Sequence, residues 1–307
     1  MSFATAVLGP VDHTTAHAMQ NHQQATSHVR DVDGLEYHGK IWGPADGISM
    51  LALHGWMDHC ESFDVLAPLL KGCRIVAIDL SGQGLSSHRA PHASYNIWDD
   101  LPQIAAIMDQ LGWADCVLLG HSRGAIMATM FAAALPERVR AVVALDALLP
   151  EPTEFTTPDT LRAFIEQTAR QKQKPPRVFD TIEAYVARRV AQGNDVAVSK
   201  MLAPRALHHA DDGYVLRGDA RMFASSAVKL KPSDINDFLR AVRCPYLNIW
   251  AKDGIKVTRE KLHDMERRAI DLMDLYQTVE IAGDHHFHMN ATVAPVIADR
   301  IFAFLDL

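Results

Sequence analysis

The sequence is poor in the features that mark several large classes of protein. It has four cysteines, Cys60, Cys73, Cys116 and Cys244, and no two of them form a C-x-x-C pair. That scatter offers neither a disulfide framework nor zinc-ligand spacing, and it predicts reduced, partly buried thiols in a cytoplasmic protein. Positive charge is in deficit: 30 Lys and Arg stand against 37 Asp and Glu, for a net charge of −7. Without a basic stripe to neutralise phosphates, nucleic acid is not an expected partner. No Lys or Arg precedes Arg30, and the apolar run "FATAVLGP" is short, so no secretory leader is expected. No charge-free stretch is long enough to span a bilayer, so no membrane role is expected either.

What is present is an ordinary enzyme-like balance. Hydrophobic residues make up 48% and charged residues 22% of 307 positions, enough for one large core carrying an insertion. Residues 1–28 read as a polar, aperiodic arm containing His13, His17, His22 and His28 with no tight ligand spacing. From there a strand–helix rhythm begins. "HVRDVDGLEYHGKIWG" predicts two strands about an Asp33-Gly34 turn. "ISMLALHG", "CRIVAIDLSG", "DCVLLGHS" and "VRAVVALDA" predict buried parallel strands. Between them, "CESFDVLAPLL", "NIWDDLPQIAAIMDQLG" and "RGAIMATMFAAALP" have helical spacing. The rhythm stops over 150–240, where the pattern is helical without buried strands, and returns with "CPYLNIWAKDG". Such alternation implies an α/β fold, a mostly parallel sheet flanked by helices. The predicted domains are an arm (1–28), a core (29–149 and 241–307) and a helical cap (150–240).

The chemistry is concentrated in a few short segments. Gly120-His121-Ser122-Arg123-Gly124 is a G-x-S-x-G with an apolar strand running in and an apolar helix running out. That context is what a nucleophile elbow needs, because glycines at 120 and 124 allow a turn sharp enough to expose Ser122 Oγ beside a helix N-terminus. A serine needs a base, an orienting acid and donors for the developing oxyanion. The predicted donors are the backbone N–H groups of Arg123 and of Trp56, in the loop "HGWMD" after the first long buried strand. His54 is read as a brace for that loop and His121 as packed beneath the elbow. The Arg123 side chain is read as bland, with a pocket-facing, carboxylate-attracting guanidinium as the sharper alternative.

The segments "LALHGWMDHCESFDVLAPLL", "DLSGQGLSS", "GHSRGA", "IWAKDG" and "AGDHHFHM" occur in the order and spacing of α/β-hydrolase fold enzymes. The chain resembles that superfamily from about residue 35 onward. "HGWMDHCESFD", "LSGQGLSSH", "LDALLP" and "DDGYVLRGDARM" make it most similar to the serine hydrolase-like proteins. The resemblance implies a Ser–acid–His hydrolase with chain order Ser, acid, His. Two aspartates end strands after Ser122. Asp253 follows the first strand after the insertion, where the family usually takes its acid, and is preferred. Asp146, one strand earlier, is the alternative used by a minority of relatives. The family's Gly-x-His template falls on Gly283-Asp284-His285, which assigns His285 as the base. His286 then lines the pocket, and His288, at the start of the final helix, is the reserve base.

The expected reaction is acyl transfer from a small-molecule ester, lactone or similar carbonyl compound through an acyl-enzyme, with no cofactor and no metal. A homodimer is left open. The competing reading is a cofactor-independent dioxygenase of a hydroxylated N-heteroaromatic ring. Enzymes of that kind resemble this chain at "HGW" and use an acid at the Asp146 position in a His–Asp dyad.

Overall fold

The computed structural model describes residues 25–306, so His13, His17 and His22 of the expected arm lie outside the described residues. The end of that expected arm belongs to the sheet, because β1 already starts at Thr26 and buries His28. In chain order the elements are β1 (Thr26–Val32), β2 (Leu35–Trp42), β3 (Ile48–Leu53), β4 (Cys73–Ile78), α1 (Leu101–Gln110), β5 (Cys116–His121), α2 (Arg123–Ala134) and β6 (Val139–Leu145). The insertion follows with α3 (Thr157–Lys172), β7 (Val178–Phe179), α4 (Ile182–Ala191), α5 (Val196–Ala206), β8 (Leu207–Ala210), β9 (Gly213–Leu216) and α6 (Pro232–Ala241). The chain closes with β10 (Tyr246–Asp253), α7 (Glu260–Leu272), β11 (Tyr276–Asp284) and α8 (Ala294–Leu305).

Eight strands form one sheet in the order β1-β2-β4-β3-β5-β6-β10-β11. The six from β4 to β11 in that order pair parallel, and β1 and β2 add an antiparallel edge. The edge hairpin turns at Asp33 (φ 55°) and Gly34 (φ 76°), the two positive angles that a two-residue hairpin loop needs. The central strands are buried on both faces, and alternate residues feed opposite layers. Leu51 and Leu53 of β3 join a core shared with α1, α2, α6 and α7, while Met50 and Ala52 join one shared with α8. Each such fully buried large aliphatic side chain contributes about 1.5–3 kcal/mol.

Three expectations are corrected. Cys60–Leu70 is not a helix but two short 3-10 turns, Cys60–Phe63 and Ala67–Leu69; Pro68, in the last turn of the segment, would break a continuous α-helix there. α1 is shorter than expected because Pro102 suits only the first turn of a helix. The insertion is not purely helical: β7, β9 and β8 make a small antiparallel sheet. Asp212-Gly213, where the chain turns from β8 into β9, is the turn signal that marks it. The insertion's last helix, α6, buries Ile235 and Leu239 in the core layer with α2 and α7. Its two roots meet where the Thr153 N–H donates to Leu230 O at 2.9 Å. All four cysteines are free and buried. Among the described residues no helix is long and apolar enough to cross a membrane.

The β5–α2 turn is held by sterics. A Cβ on Gly124 would overlap the Leu53 carbonyl oxygen, and one on Gly120 would overlap the Ala125 backbone. Gly124→Ala is therefore expected to cost about 4 kcal/mol or more. Gly72→Ala, with φ +83° but open space around it, is expected to cost about 1–2 kcal/mol from backbone strain alone. Urea denaturation of both variants checks this, and equal losses would contradict the close approach at Gly124.

Candidate active site

Ser122 sits between β5 and α2 at φ 51°, ψ −117°, a conformation that a side-chain-bearing residue adopts only under constraint. The constraint is visible: the Ser122 N–H donates to Leu145 O of β6 at 3.0 Å, while its own carbonyl accepts from Ala125 and Ile126 at the start of α2. The hydroxyl lies 2.9 Å from His285 Nε2. His285 Nδ1 in turn lies 2.7 Å from Asp146 Oδ2. The His285 imidazole is partly exposed and the Asp146 side chain is fully buried.

Asp146, not Asp253, meets the histidine, which corrects the preferred expectation. Asp146 follows β6 at φ 50°, anchored by its N–H to Ile249 O at 2.8 Å. Its carboxylate also accepts from the Ala251 N–H at 3.1 Å and the Ile255 N–H at 3.0 Å. Gly254 makes room for it, since a Cβ there would overlap the carboxylate. Asp253 is exposed at the end of β10, in register with Asp284. The segment "IWAKDG" thus serves the site through the Ala251 amide and Gly254, and the next residue, Ile255, adds the second amide. The physical reason is geometric: Lys252 and Asp253 project to solvent at the end of β10, whereas the sharp turn after β6 brings Asp146 inward.

The acceptors around it set the tautomer of His285. The Asp146 carboxylate can only accept, so Nδ1 carries the proton and Nε2 is left to accept from Ser122. Gly283 adopts φ +130°, and a Cβ there would crowd Phe287, so the glycine before the base lets the chain turn from β11 into the 3-10 turn Phe287–Met289.

The other two histidines of the cluster separate from the base. His286 does not line an open pocket. Its Nε2 lies 3.1 Å from Asp58 Oδ2, and the side chain is 9% exposed. His288 is fully buried against the His121 ring, 4.2 Å between centroids, and neither of its nitrogens has a hydrogen-bond partner among the described residues. The reserve base is therefore not brought to Ser122. His121 lies beneath the elbow as expected, donating from Nε2 to His285 O at 2.8 Å. His54 accepts the Leu80 N–H at Nε2 and donates from Nδ1 to Gly55 O, which braces its loop.

Asp58 is the feature that the sequence reading missed. It lies in the loop after β3 and is 3% exposed. Its Oδ1 accepts from Arg189 of α4 at 3.2 Å, its Oδ2 from His286, and His121 Nδ1 stands 3.9 Å away. Burial alone would raise its pKa, but the His286 and Arg189 charges and hydrogen bonds outweigh that and hold the carboxyl well below the usual range. A second buried carboxylate, Asp79, takes Arg205 of α5 at 2.8 Å together with the Cys60 and Leu85 amides. Only the "HGWMD" aspartate followed by histidine hinted at this, and neither arginine was legible as a partner.

Trp56 is 44% exposed and its ring meets Phe223 edge-on, with centroids 4.8 Å apart. A Gly55–Asp58 turn closes its loop, with the Asp58 N–H donating to Gly55 O at 3.2 Å. The Met57 N–H is held by Gln83 Oε1 at 2.6 Å. Among the described residues the Trp56 and Arg123 amides meet no backbone acceptor in the surrounding turns. The Arg123 guanidinium turns inward: Nη2 donates to Tyr95 O at 3.4 Å, and Nε has no partner among the described residues. Burial lowers its pKa, partly offset by Asp100 and Asp99.

Burial holds His54, His59, His121 and His288 below the ordinary imidazole range, and neighbouring imidazoles add to this for His121 and His288. Below the ordinary imidazole value of 6.5 the unfolded chain takes up protons that the folded one refuses, so stability falls as the pH drops through that value. Each such histidine contributes up to about 1.4 kcal/mol per pH unit. Asp58 acts in a lower window: its contribution is present above the ordinary aspartate value of 3.8 and is lost as the pH falls through its depressed folded value. Urea unfolding at pH 7.5 and 5.5 is expected to show the first effect, and His288→Phe to flatten the slope by about one proton. A wild-type slope in His288→Phe would rule out this account of the buried ring.

The comparisons agree with this fold. Residues 48–203 match the family profile described as alpha/beta hydrolase fold. The serine hydrolase-like protein of Danio rerio is 33% identical over 277 residues, covering 86% of this chain and 84% of the fish protein. A probable serine hydrolase of Drosophila melanogaster is 31% identical over 278 residues, 87% of this chain and 83% of the fly protein. The crystal structure of a hypothetical protein from Pseudomonas aeruginosa PAO1 superposes with a TM-score of 0.86 at 32% identity, covering 92% of this chain and 99% of that one. A thioesterase domain from the curacin biosynthetic pathway shares the fold at a TM-score of 0.76 and 22% identity. The chain belongs to the α/β-hydrolase fold family and, within it, to the serine hydrolase-like proteins.

Proposed function

We propose that this hydrolase cleaves a small-molecule ester, lactone or related carbonyl compound through a Ser122–His285–Asp146 triad and an acyl-enzyme. The observation that carries the reading is the unbroken pair of hydrogen bonds from Ser122 Oγ through His285 to Asp146. His285 Nε2 takes the hydroxyl proton as Ser122 Oγ attacks the carbonyl carbon. The imidazolium that forms is stabilised by the buried Asp146 carboxylate, whose two backbone amides keep it oriented. The Trp56 and Arg123 amides receive the oxyanion, and donors of this kind contribute about 3–4 kcal/mol each. His285 then protonates the leaving group and activates water, which releases the acid and restores the serine.

The acid at Asp146 is also the position expected for the cofactor-independent dioxygenases, so that reading keeps one observation in its favour. There the His285–Asp146 dyad deprotonates a ring hydroxyl and Ser122 forms no acyl bond. The strained elbow and the 2.9 Å Ser122–His285 contact favour the hydrolase.

A fluorophosphonate probe is expected to label wild-type protein at Ser122 and to leave Ser122→Ala unmodified. Against a panel of esters and lactones, Ser122→Ala and Asp146→Asn are each expected to lower kcat by about 10³–10⁴-fold, the latter by allowing the wrong imidazole tautomer. Asp253→Asn is expected to stay within about twofold of wild type, as for a solvated surface position. Turnover surviving in Ser122→Ala, or oxygen uptake with a hydroxyquinolone, would transfer the assignment to the dioxygenase.

A further inference from the structure

The insertion and the loop after β4 border a half-open cavity of ≈ 760 Å³. Ser122 and His285 are not in its lining. Phe223 is, and its ring stands edge-on against Trp56. The cavity is therefore one aromatic pair away from the loop that carries the Trp56 amide.

The charge on its walls is lopsided. Lys172, Lys174, Arg177, Arg217 and Arg221 face a single carboxylate, Asp219. That carboxylate is already taken, by Arg221 at 2.7 Å and by His88 at 3.2 Å. The other four cations pair with no carboxylate among the described residues, in a chain whose net charge is −7. The bland explanation, cations complementing the end of a helix dipole, covers Lys172 at the end of α3. It does not cover Lys174, Arg177 or Arg217, which lie beyond that helix or after β9. Arg217 is half-buried, donating from Nε to Leu207 O at 3.0 Å. Burial and the like charge of Arg205 both work against its protonated form, and a bound anion would relieve that. Beside the cations, Leu85, Leu216 and Phe223 supply an apolar strip. Cations next to an apolar strip suit a molecule with a phosphate at one end and a short acyl group at the other.

We propose that this cavity binds the phosphorylated end of an acyl ester or thioester whose carbonyl lies at Ser122. This rests on the hydrolase reading for the position of the carbonyl, but the anion site is tested by binding alone. Calorimetric titration of the full-length Ser122→Ala protein would use two matched pairs. One is butyryl coenzyme A against butyryl N-acetylcysteamine, and the other is butyryl glycerol 3-phosphate against monobutyrin.

In at least one pair the phosphorylated member is expected to bind about tenfold tighter or more, and the pair that shows it identifies the carrier. In Lys174→Glu/Arg217→Gln that advantage is expected to fall to about twofold or less, as for loss of two charge-assisted contacts. Lys172→Gln/Lys174→Gln, altered only at solvated positions, provides a variant that retains the fold and is expected to lose about threefold. Equal or undetectable affinities within both pairs, or an advantage that neither variant reduces, overturns the proposal. Failure of the fluorophosphonate to label the wild-type protein, with the binding preference intact in Ser122→Ala, would count against the hydrolase reading, and wild-type labelling without the preference would count against the cavity alone.

Discussion

The buried Asp146 carboxylate is the point on which the site depends. A fully desolvated charge persists only where donors converge on it, and three do: two backbone amides of the β10 loop and the His285 imidazole. Those donors come from separate parts of the sheet's carboxyl edge. The positive φ of Asp146, the glycine at 254 and the register of β6 with β10 all serve that one convergence. Ser122, also at positive φ, is tied by its amide to the last residue of the same β6. Strain at two neighbouring turns is thus offset by hydrogen bonds that a relaxed backbone would not make.

Much of this was legible in the sequence, for reasons that differ from element to element. The parallel strands stood out because a strand buried on both faces is a continuous apolar run. The elbow stood out because its two glycines answer a steric demand. His285 could be placed by its Gly-x-His context. Asp253 was preferred to Asp146 only through the family's usual acid position, and wrongly, because within the sequence itself both end strands and both precede small residues. Only the direction of the chain after each strand separates them, and that direction depends on tertiary hydrogen bonds to Ala251 and Ile255. The buried ion pairs of Asp58 with Arg189 and of Asp79 with Arg205 join residues more than a hundred positions apart. No local pattern carries such a pairing.

Those two ion pairs use one device twice. Each core carboxylate lies in or next to a loop of the site and takes a guanidinium from the insertion. Removing either arginine would leave a desolvated carboxylate without its cation, which is costlier than losing a surface pair. The insertion is therefore docked on the core by charge, while residues of the three-stranded sheet and the α3 end line the basic cavity. His286 extends the Asp58 pair to the residue next to the base, so docking of the insertion and placement of His285 share a carboxylate.

The hydrogen bond between Thr153 and Leu230 has a consequence for how such a chain diversifies. The two ends of the insertion already sit side by side, so the stretch between them is a closed loop, tied down on the core at Arg189 and Arg205 as well. Lengthening or shortening a loop whose ends are held together changes the closure entropy only logarithmically with its length. Segments of that stretch away from Arg189 and Arg205 can therefore change length while the sheet, the elbow and the catalytic loops keep their geometry, so a change of substrate need not disturb the chemistry.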